Sequence, residues 1–230
     1  MPARIPQWRL HHEHVHRPQH SGEPIWPRRP RHPRGKNADY ALAPLSAGNL
    51  KVEPHLSRHP FGRIPALEHD GFLLYETQAI LRYLDRVLTE PALTPADAKA
   101  AARMDRAMSV NDWYLYQGVA NVIVFHRAVA PRLVGAAPDE SAIAAAMPKA
   151  RVTFRELARL LGAQPYFAGD TISLADLMIA PPLELFARAP EWATLTAETP
   201  NLVEWLERMT VRPSFEATTW ERLAAMAEAA

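Results

Sequence analysis

The spacing of apolar positions changes character near the hundredth residue. Ile64, Pro65, Ala66 and Leu67 form a short apolar run that predicts a buried strand. His69-Asp70-Gly71 then reads as a tight turn and Phe72 to Tyr75 as a second, antiparallel strand, the signature of a hairpin. Next, Ile80, Tyr83, Leu84, Val87 and Leu88 recur with the i, i+3, i+4 spacing that puts one apolar stripe on a helix. Upstream, Tyr40 to Leu45 predicts a short strand and Pro54 to Arg58 a short helix or turn. Thr89 to Pro95, with prolines at 91 and 95, ends the helix and reads as a linker. Beyond Ala96 only the helical period remains. Asp97 to Val129 predicts one long helix, and Met147, Ala150, Phe154, Leu157 and Leu161 mark another that Pro148 is expected to kink. Three more helices are expected over Ser173 to Phe186, Asn201 to Met209 and Phe215 to Ala229. A small α/β unit followed by an all-helical unit is the economical parse, an α+β fold class.

Composition adds exclusions. The 230 residues are 48% hydrophobic and 22% charged, as in a soluble globular chain, and include no cysteine. Disulfides, thiolate metal sites and a cysteine nucleophile are therefore ruled out, and any thiol chemistry must use a thiol brought by a substrate. No uninterrupted apolar run reaches membrane-spanning length, since even Val119 to Phe125 is broken by Asn121, and Arg, His and Pro interrupt the start before a secretory apolar region forms. A cytoplasmic protein with no membrane partner is the expectation.

The net charge of +1 hides an asymmetry. Residues 1–36 carry eight Lys/Arg against two acids, which leaves 18 against 23 for the rest. The same 36 residues hold six of the ten histidines and seven of the 22 prolines, and no run in them keeps a helical or strand period. His11, His12, His14 and His16 are dense enough to suggest zinc or nickel. No periodic scaffold holds their imidazoles, however, and a solvated tail is the stronger reading, so no metal is expected. The basic start would suit nucleic acid, but the acidic body argues against that partner.

Three local patterns carry chemistry. Ser173 and Asp176 form an S-x-x-D capping box at the head of an apolar helix, with Ile172 and Leu177 placed as its hydrophobic staple, which is a folding device. Ile64-Pro65 holds a strand edge extended, with the Ile64 N–H and C=O free to pair outward; an ordinary edge proline is the alternative. Glu76-Thr77 lies where strand gives way to helix. There the free N–H groups of a first turn and the threonine hydroxyl suit a carboxylate, and Glu76 suits an ammonium, together an amino-acid head group; Thr77 as a plain cap is the alternative.

His59-Pro60-Phe61-Gly62-Arg63-Ile64-Pro65-Ala66-Leu67, then Tyr75-Glu76-Thr77-Gln78-Ala79-Ile80, and later Asp170-Thr171-Ile172-Ser173-Leu174-Ala175-Asp176, resemble cytosolic glutathione transferases of the bacterial type over about Asp39 to Trp220. The resemblance implies a thioredoxin-like glutathione-binding domain over 38–88, a linker over 89–96 and an all-α domain over 97–230 that shapes a pocket for a hydrophobic electrophile. It implies that Ile64 pairs with the cysteinyl backbone, that Pro65 follows a cis bond, that Glu76 and Thr77 hold the γ-glutamyl group and that Lys51 lies near the glycyl end. His59 stands where the family has Asn, and the resemblance implies that it too belongs to the glutathione-binding set. Trp113, Tyr114 and Tyr116 match a helix that lines the electrophile pocket, although aromatics at such spacing are more often core. His126 and Arg127 read equally as surface or functional residues. The implied partners are glutathione, as co-substrate, and a second copy of the chain in a homodimer that serves detoxification.

Residues 1–37 depart from the family. They stand in place of the first strand and helix, which should carry the thiol-activating Tyr, Ser or Cys. Ser21 is the only such residue before Tyr40, and prolines at 24, 27, 30 and 33 would break the expected helix, so Ser21 is the single catalytic candidate. Arg-, Pro- and His-rich sequence of this kind also arises when a GC-rich gene is read out of register. The sequence thus reads as a glutathione transferase that promotes attack of the thiolate on an electrophile. The alternative is a non-catalytic glutathione-fold binding or scaffold protein.

Overall fold

The computed structural model describes residues 4–5, 8–10, 40–43, 45–88, 90–219 and 222. They fall into two compact units, one built on Arg4–Pro91 and one on Ala92–Glu216.

The first unit is α/β. Its strands are β1 (Arg4–Ile5), β2 (Trp8–Leu10), β3 (Tyr40–Leu42), β4 (Leu45–Ser46), β5 (Ala66–His69) and β6 (Phe72–Tyr75). β1 pairs with β4, and the other four form a mixed sheet in the order β3-β2-β5-β6, with β2 parallel to β5. The hairpin appears as predicted, closed by Asp70-Gly71. His69 pairs with Phe72, and both turn residues have positive φ, 51° and 79°, the backbone of a two-residue turn that follows the strand twist. The strand begins at Ala66, two residues later than the apolar run implied, because Ile64 and Pro65 lie outside the ladder. β1 and β2 lie within the start that showed no strand period. Trp8-Arg9-Leu10 alternates for a single period only, too short to read, and its pairing with β3 and β5 is what makes it a strand. Helix α1 (His55–Arg58) precedes the hairpin and α2 (Thr77–Val87) follows it. Ile80 and Leu67 form the buried centre, with Tyr40, Leu74, Tyr83 and Leu84 against it, whereas Val87, expected on the apolar stripe, is exposed at the last turn. The Tyr83 hydroxyl and His69 Nδ1, 2.7 Å apart, tie α2 to β5.

The second unit is helical. α3 (Ala98–Val110) runs on into wide turns over Asn111–Ala120 and Phe125–Val129, and then into α4 (Ala130–Val134). The predicted long helix therefore exists, but with its middle loosened to an i−5 pattern, as in the bond from Asn121 N–H to the Tyr116 carbonyl at 3.0 Å. α5 (Glu140–Leu161) is continuous through Pro148, so the expected kink does not interrupt it. α6 (Leu174–Ala187), α7 (Glu191–Thr196) and α8 (Pro200–Thr210) follow, and then α9 (Pro213–Glu216). The last is a single turn instead of the predicted helix through Ala229, most of which lies outside the described residues.

Phe154, Phe167, Phe186 and Trp205 are the largest buried side chains of this unit, with Phe167 edge-on to Trp205 at 5.1 Å and Phe154 edge-on to Phe186 at 5.4 Å. Arg127 is a clamp and not a surface residue. Its guanidinium bonds Glu140 at the head of α5 (2.6 and 2.8 Å) and Glu191 at the head of α7 (2.6 Å at the shortest). Those carboxylates hold its pKa above the ordinary arginine value, while Arg127 in turn holds the Glu140 carboxyl below its usual range. No described helix is long and apolar enough to cross a membrane.

Candidate functional site

The site is assembled by α1, by residues 59–65 that lead from it into the hairpin, and by the junction of β6 with α2. His55 is the first support. It is 1% exposed and its Nε2 lies 2.8 Å from the Arg63 carbonyl; a carbonyl only accepts, so this nitrogen carries the proton and donates. That bond fixes the residue immediately before Ile64. Sequence reasoning passed over His55, because nothing local distinguishes a histidine that braces a loop eight residues ahead.

Gly62 is the second support. At φ +58° it sits in the left-handed region, and a Cβ built there would lie 2.5 Å from the Leu50 carbonyl oxygen. Only glycine lets the loop close on the Leu50–Lys51 backbone. The Lys51 ammonium reaches across the same junction to donate to the Phe61 carbonyl at 3.3 Å. Gly62→Ala is therefore expected to lower stability by about 1–3 kcal/mol and to weaken ligand binding by the loop, since both the backbone and its neighbour must shift. Urea melts with calorimetry check this; an unchanged midpoint and affinity would mean that the loop has room to relax.

Between these supports the Ile64-Pro65 bond is cis, as expected, and the Ile64 N–H and C=O have no hydrogen-bond partner among the described residues. An edge with its donor and acceptor both open takes an extended peptide backbone. Ile64 and Pro65 are half-buried.

Glu76 is the N-cap of α2 and Thr77 its first helical residue. Glu76 has φ +70°, an unusual backbone for a residue with a Cβ, and is exposed. No side chain caps this helix, in contrast with α3, where Asp97 accepts from Ala100 N–H at 2.8 Å, and α5, where Asp139 accepts from Ala142 N–H at 2.9 Å. The plain-cap reading of Thr77 is therefore not realised. First-turn N–H groups and a threonine hydroxyl stand beside an open carboxylate, the pairing that suits a zwitterionic head group.

His59 is the surprise of the region. Expected to touch ligand, it is 2% exposed and has no surface to offer one. Its ring packs on Tyr75 (centroids 4.9 Å), Phe61 and His55 (6.2 Å each), and its Nδ1 is buried with no hydrogen-bond partner among the described residues. Burial lowers its pKa below 6.5, with His55 and Arg63 adding to the effect and Glu76 opposing it.

In the helical unit, Trp113, Tyr114 and Tyr116 are 73%, 62% and 48% exposed, which decides against their being core. The wide turns of Asn111–Ala120 present them outward. A separate cavity of about 310 Å³ between α6, α7 and α8 is lined by Trp192, Leu206 and Arg188 among others, and by none of the predicted site residues.

Asp176 proves more than a cap. Its Oδ2 accepts from the Ser173 N–H (2.9 Å) and hydroxyl (2.7 Å), and its Oδ1 from the Phe167 N–H (3.1 Å) and Trp205 Nε1–H (2.9 Å). The capping box is formed, and the carboxylate also ties the preceding loop to α8. Burial pushes its carboxyl above the usual range while the four donors pull it back.

Ser21 and His11, His12, His14 and His16 lie outside the described residues. Among the described residues no group of three or more His, Asp or Glu is arranged to hold a metal.

Comparison with known proteins finds a family match in each of the two units. The family described as "Glutathione S-transferase, N-terminal domain" matches residues 35–86, and "Glutathione S-transferase, C-terminal domain" matches 119–213. A probable glutathione S-transferase of Oryza sativa subsp. japonica is 32% identical over 77% of this chain and 82% of its own length. Glutathione S-transferase I from maize, solved in complex with an atrazine–glutathione conjugate, is 28% identical with a TM-score of 0.63, covering 78% of this chain and 80% of the maize chain. A glutathione S-transferase structure from Rhodospirillum rubrum is 27% identical with a TM-score of 0.62, covering 72% and 74%.

Proposed function

We propose, since this chain belongs to the glutathione S-transferase family, that it is a glutathione transferase, binding glutathione on its thioredoxin-like unit and promoting attack of the thiolate on an electrophilic carbon. The observation that carries this is the meeting of the open Ile64 backbone edge with the uncapped α2 and the exposed Glu76, all within one unit. The chemistry of glutathione matches them part by part. Its cysteinyl amide is an extended backbone fragment and pairs with the Ile64 N–H and C=O. The γ-glutamyl carboxylate takes the Thr77 hydroxyl and first-turn N–H groups, and the ammonium faces Glu76. Lys51 lies toward the glycyl carboxylate, and Pro65 sets the direction of the edge.

The exposed aromatic side chains of Trp113, Tyr114 and Tyr116 suit a flat, hydrophobic electrophile, and the maize relative is solved with an atrazine–glutathione conjugate. Ser21 remains the candidate donor to the thiolate, since no other hydroxyl or thiol precedes Tyr40. The homodimer, the cytoplasmic location and a detoxifying role follow the family reading. The bacterial type is supported by the Rhodospirillum rubrum relative, while the rice relative matches the chain at higher identity.

Calorimetry with glutathione tests the binding half. The wild-type chain is expected to bind, and Glu76→Ala to weaken binding by about ten- to a hundredfold, because a charge-assisted bond to the ammonium is lost. Equal affinities would remove Glu76 from the site, and no binding by either would leave the scaffold reading.

A further inference from the structure

We propose that His59 is a pH-sensing positioning residue of the glutathione site: neutral, it holds the Phe61–Arg63 loop and the Tyr75-Glu76 junction in their binding geometry, and protonated, it either engages Glu76 or releases the loop. The proposal rests on the glutathione-binding reading above and adds the regulation of that same site.

The ring occupies the one place from which both halves of the site can be disturbed. Its backbone closes the loop, with the His59 N–H donating to the His55 carbonyl at 2.9 Å and the Gly62 N–H donating to the His59 carbonyl at 2.8 Å. Its side chain fills the space between His55 of α1, Phe61 of the loop and Tyr75 of β6. The charged and titratable groups around it are His55 from α1, Arg63 from the loop, and Tyr75 and Glu76 from the end of β6. A buried imidazolium is held poorly there, because burial strips it of water and His55 and Arg63 repel it. Beside a bond to its own backbone, the neighbour that attracts it is Glu76, the group assigned to the ligand's ammonium.

Protonation of His59 thus leaves two outcomes, and both weaken binding. Either the ring pairs with Glu76 and competes with the ligand's ammonium, or it leaves its pocket and takes the loop, and with it Ile64, out of register. The sign follows from the lowered pKa: the ring stays neutral at and above pH 6.5 and takes its proton below that, after the unfolded chain has already done so. The stability held by the neutral ring is therefore present above pH 6.5 and is lost as pH falls through the window between 6.5 and the folded-state pKa. Ligand affinity falls at lower pH still, as pH passes through the folded-state pKa and the folded chain's own ring takes its proton, in proportion to the fraction of chains that keep His59 neutral.

The test is calorimetry of the full chain with S-methylglutathione, which has no titrating thiol, from pH 7.5 to 5, on wild type and His59→Asn. Wild type is expected to keep one Kd from pH 7.5 down to 6.5 and to lose affinity progressively below that, as the ring takes its proton. His59→Asn, whatever its affinity at pH 7.5, is expected to show a flat profile, since the amide does not titrate in this range. A flat wild-type profile, or the wild-type slope retained in His59→Asn, overturns the proposal and leaves the glutathione site standing; no binding at any pH overturns the site as well. Should His59→Asn fail to fold, the proton NMR titration of the wild-type imidazoles decides. The His59 ring is expected to titrate with the midpoint of the affinity loss, and a different midpoint refutes the link.

Discussion

Asp176→Ala is expected to lower the free energy of unfolding by about 3–5 kcal/mol, a large share of what holds a domain of this size together. A capping box alone is worth about 0.5–2 kcal/mol. The larger figure follows from the four donors that converge on one buried carboxylate. Ser173 N–H is the helix-cap donor, but the Phe167 N–H belongs to the preceding loop and the Trp205 indole to α8, so removal of the carboxylate strands polar groups on three elements at once. Trp205 is fully buried, edge-on to Phe167, and has no water to turn to. Trp205→Phe removes one donor and leaves three, and is expected to cost about 1–2 kcal/mol. Urea melts on the two variants check the ordering. A midpoint unchanged in Asp176→Ala, together with lost turnover, would mean that the residue serves chemistry.

Glutathione is expected to bind to this chain far better than it is turned over. In the proposed binding mode, affinity is spread over the Ile64 edge, the α2 first turn and Glu76. Turnover depends on one donor aimed at sulfur, and a free thiol with a pKa near ~8.5 is mostly protonated at neutral pH. Loss of such a donor costs about 2–4 kcal/mol of transition-state stabilisation, or roughly 30- to 1,000-fold in rate. Ser21 sits in Gln19-His20-Ser21-Gly22-Glu23-Pro24, among prolines that interrupt a helix and its dipole, so a preorganised donor is not expected there. Conjugation of a generic aryl halide, measured beside glutathione calorimetry and a Ser21→Ala control, separates the cases. Turnover typical of an intact transferase would show the start to be competent, and its loss in Ser21→Ala would make Ser21 the donor.

The parts of the site legible in the sequence are those made by neighbours along the chain. Ile64-Pro65 and Glu76-Thr77 are visible because an X-Pro bond and a strand-to-helix junction restrict their own backbones. His59 is misread as a ligand contact, since a histidine after a helix turn carries no local mark of burial. Arg127 reads equally as surface or functional for the same reason, as neither Glu140 nor Glu191 lies within a helical turn of it. The loosened turns of Asn111–Ala120 look like ordinary helix in the sequence, because the apolar pattern does not tell an i−5 ladder from an i−4 one.

Interactions a few residues long suffice for the Asp70-Gly71 turn, the apolar stripe of α2 around Ile80, the Ser173/Asp176 box and the order of an α/β unit before a helical one. Backbone sterics and side-chain periodicity act locally, so residue type and spacing are enough for them. Packing in three dimensions is what brings Trp205 to Asp176 from 29 positions away, brings Glu191 to Arg127 from 64, and walls in His59 with Tyr75 and Phe61. Those contacts form where separate elements happen to pack, and the burial that gives a carboxylate, a guanidinium or an imidazole its strength there is a property of the packed interior, which no spacing along the chain encodes.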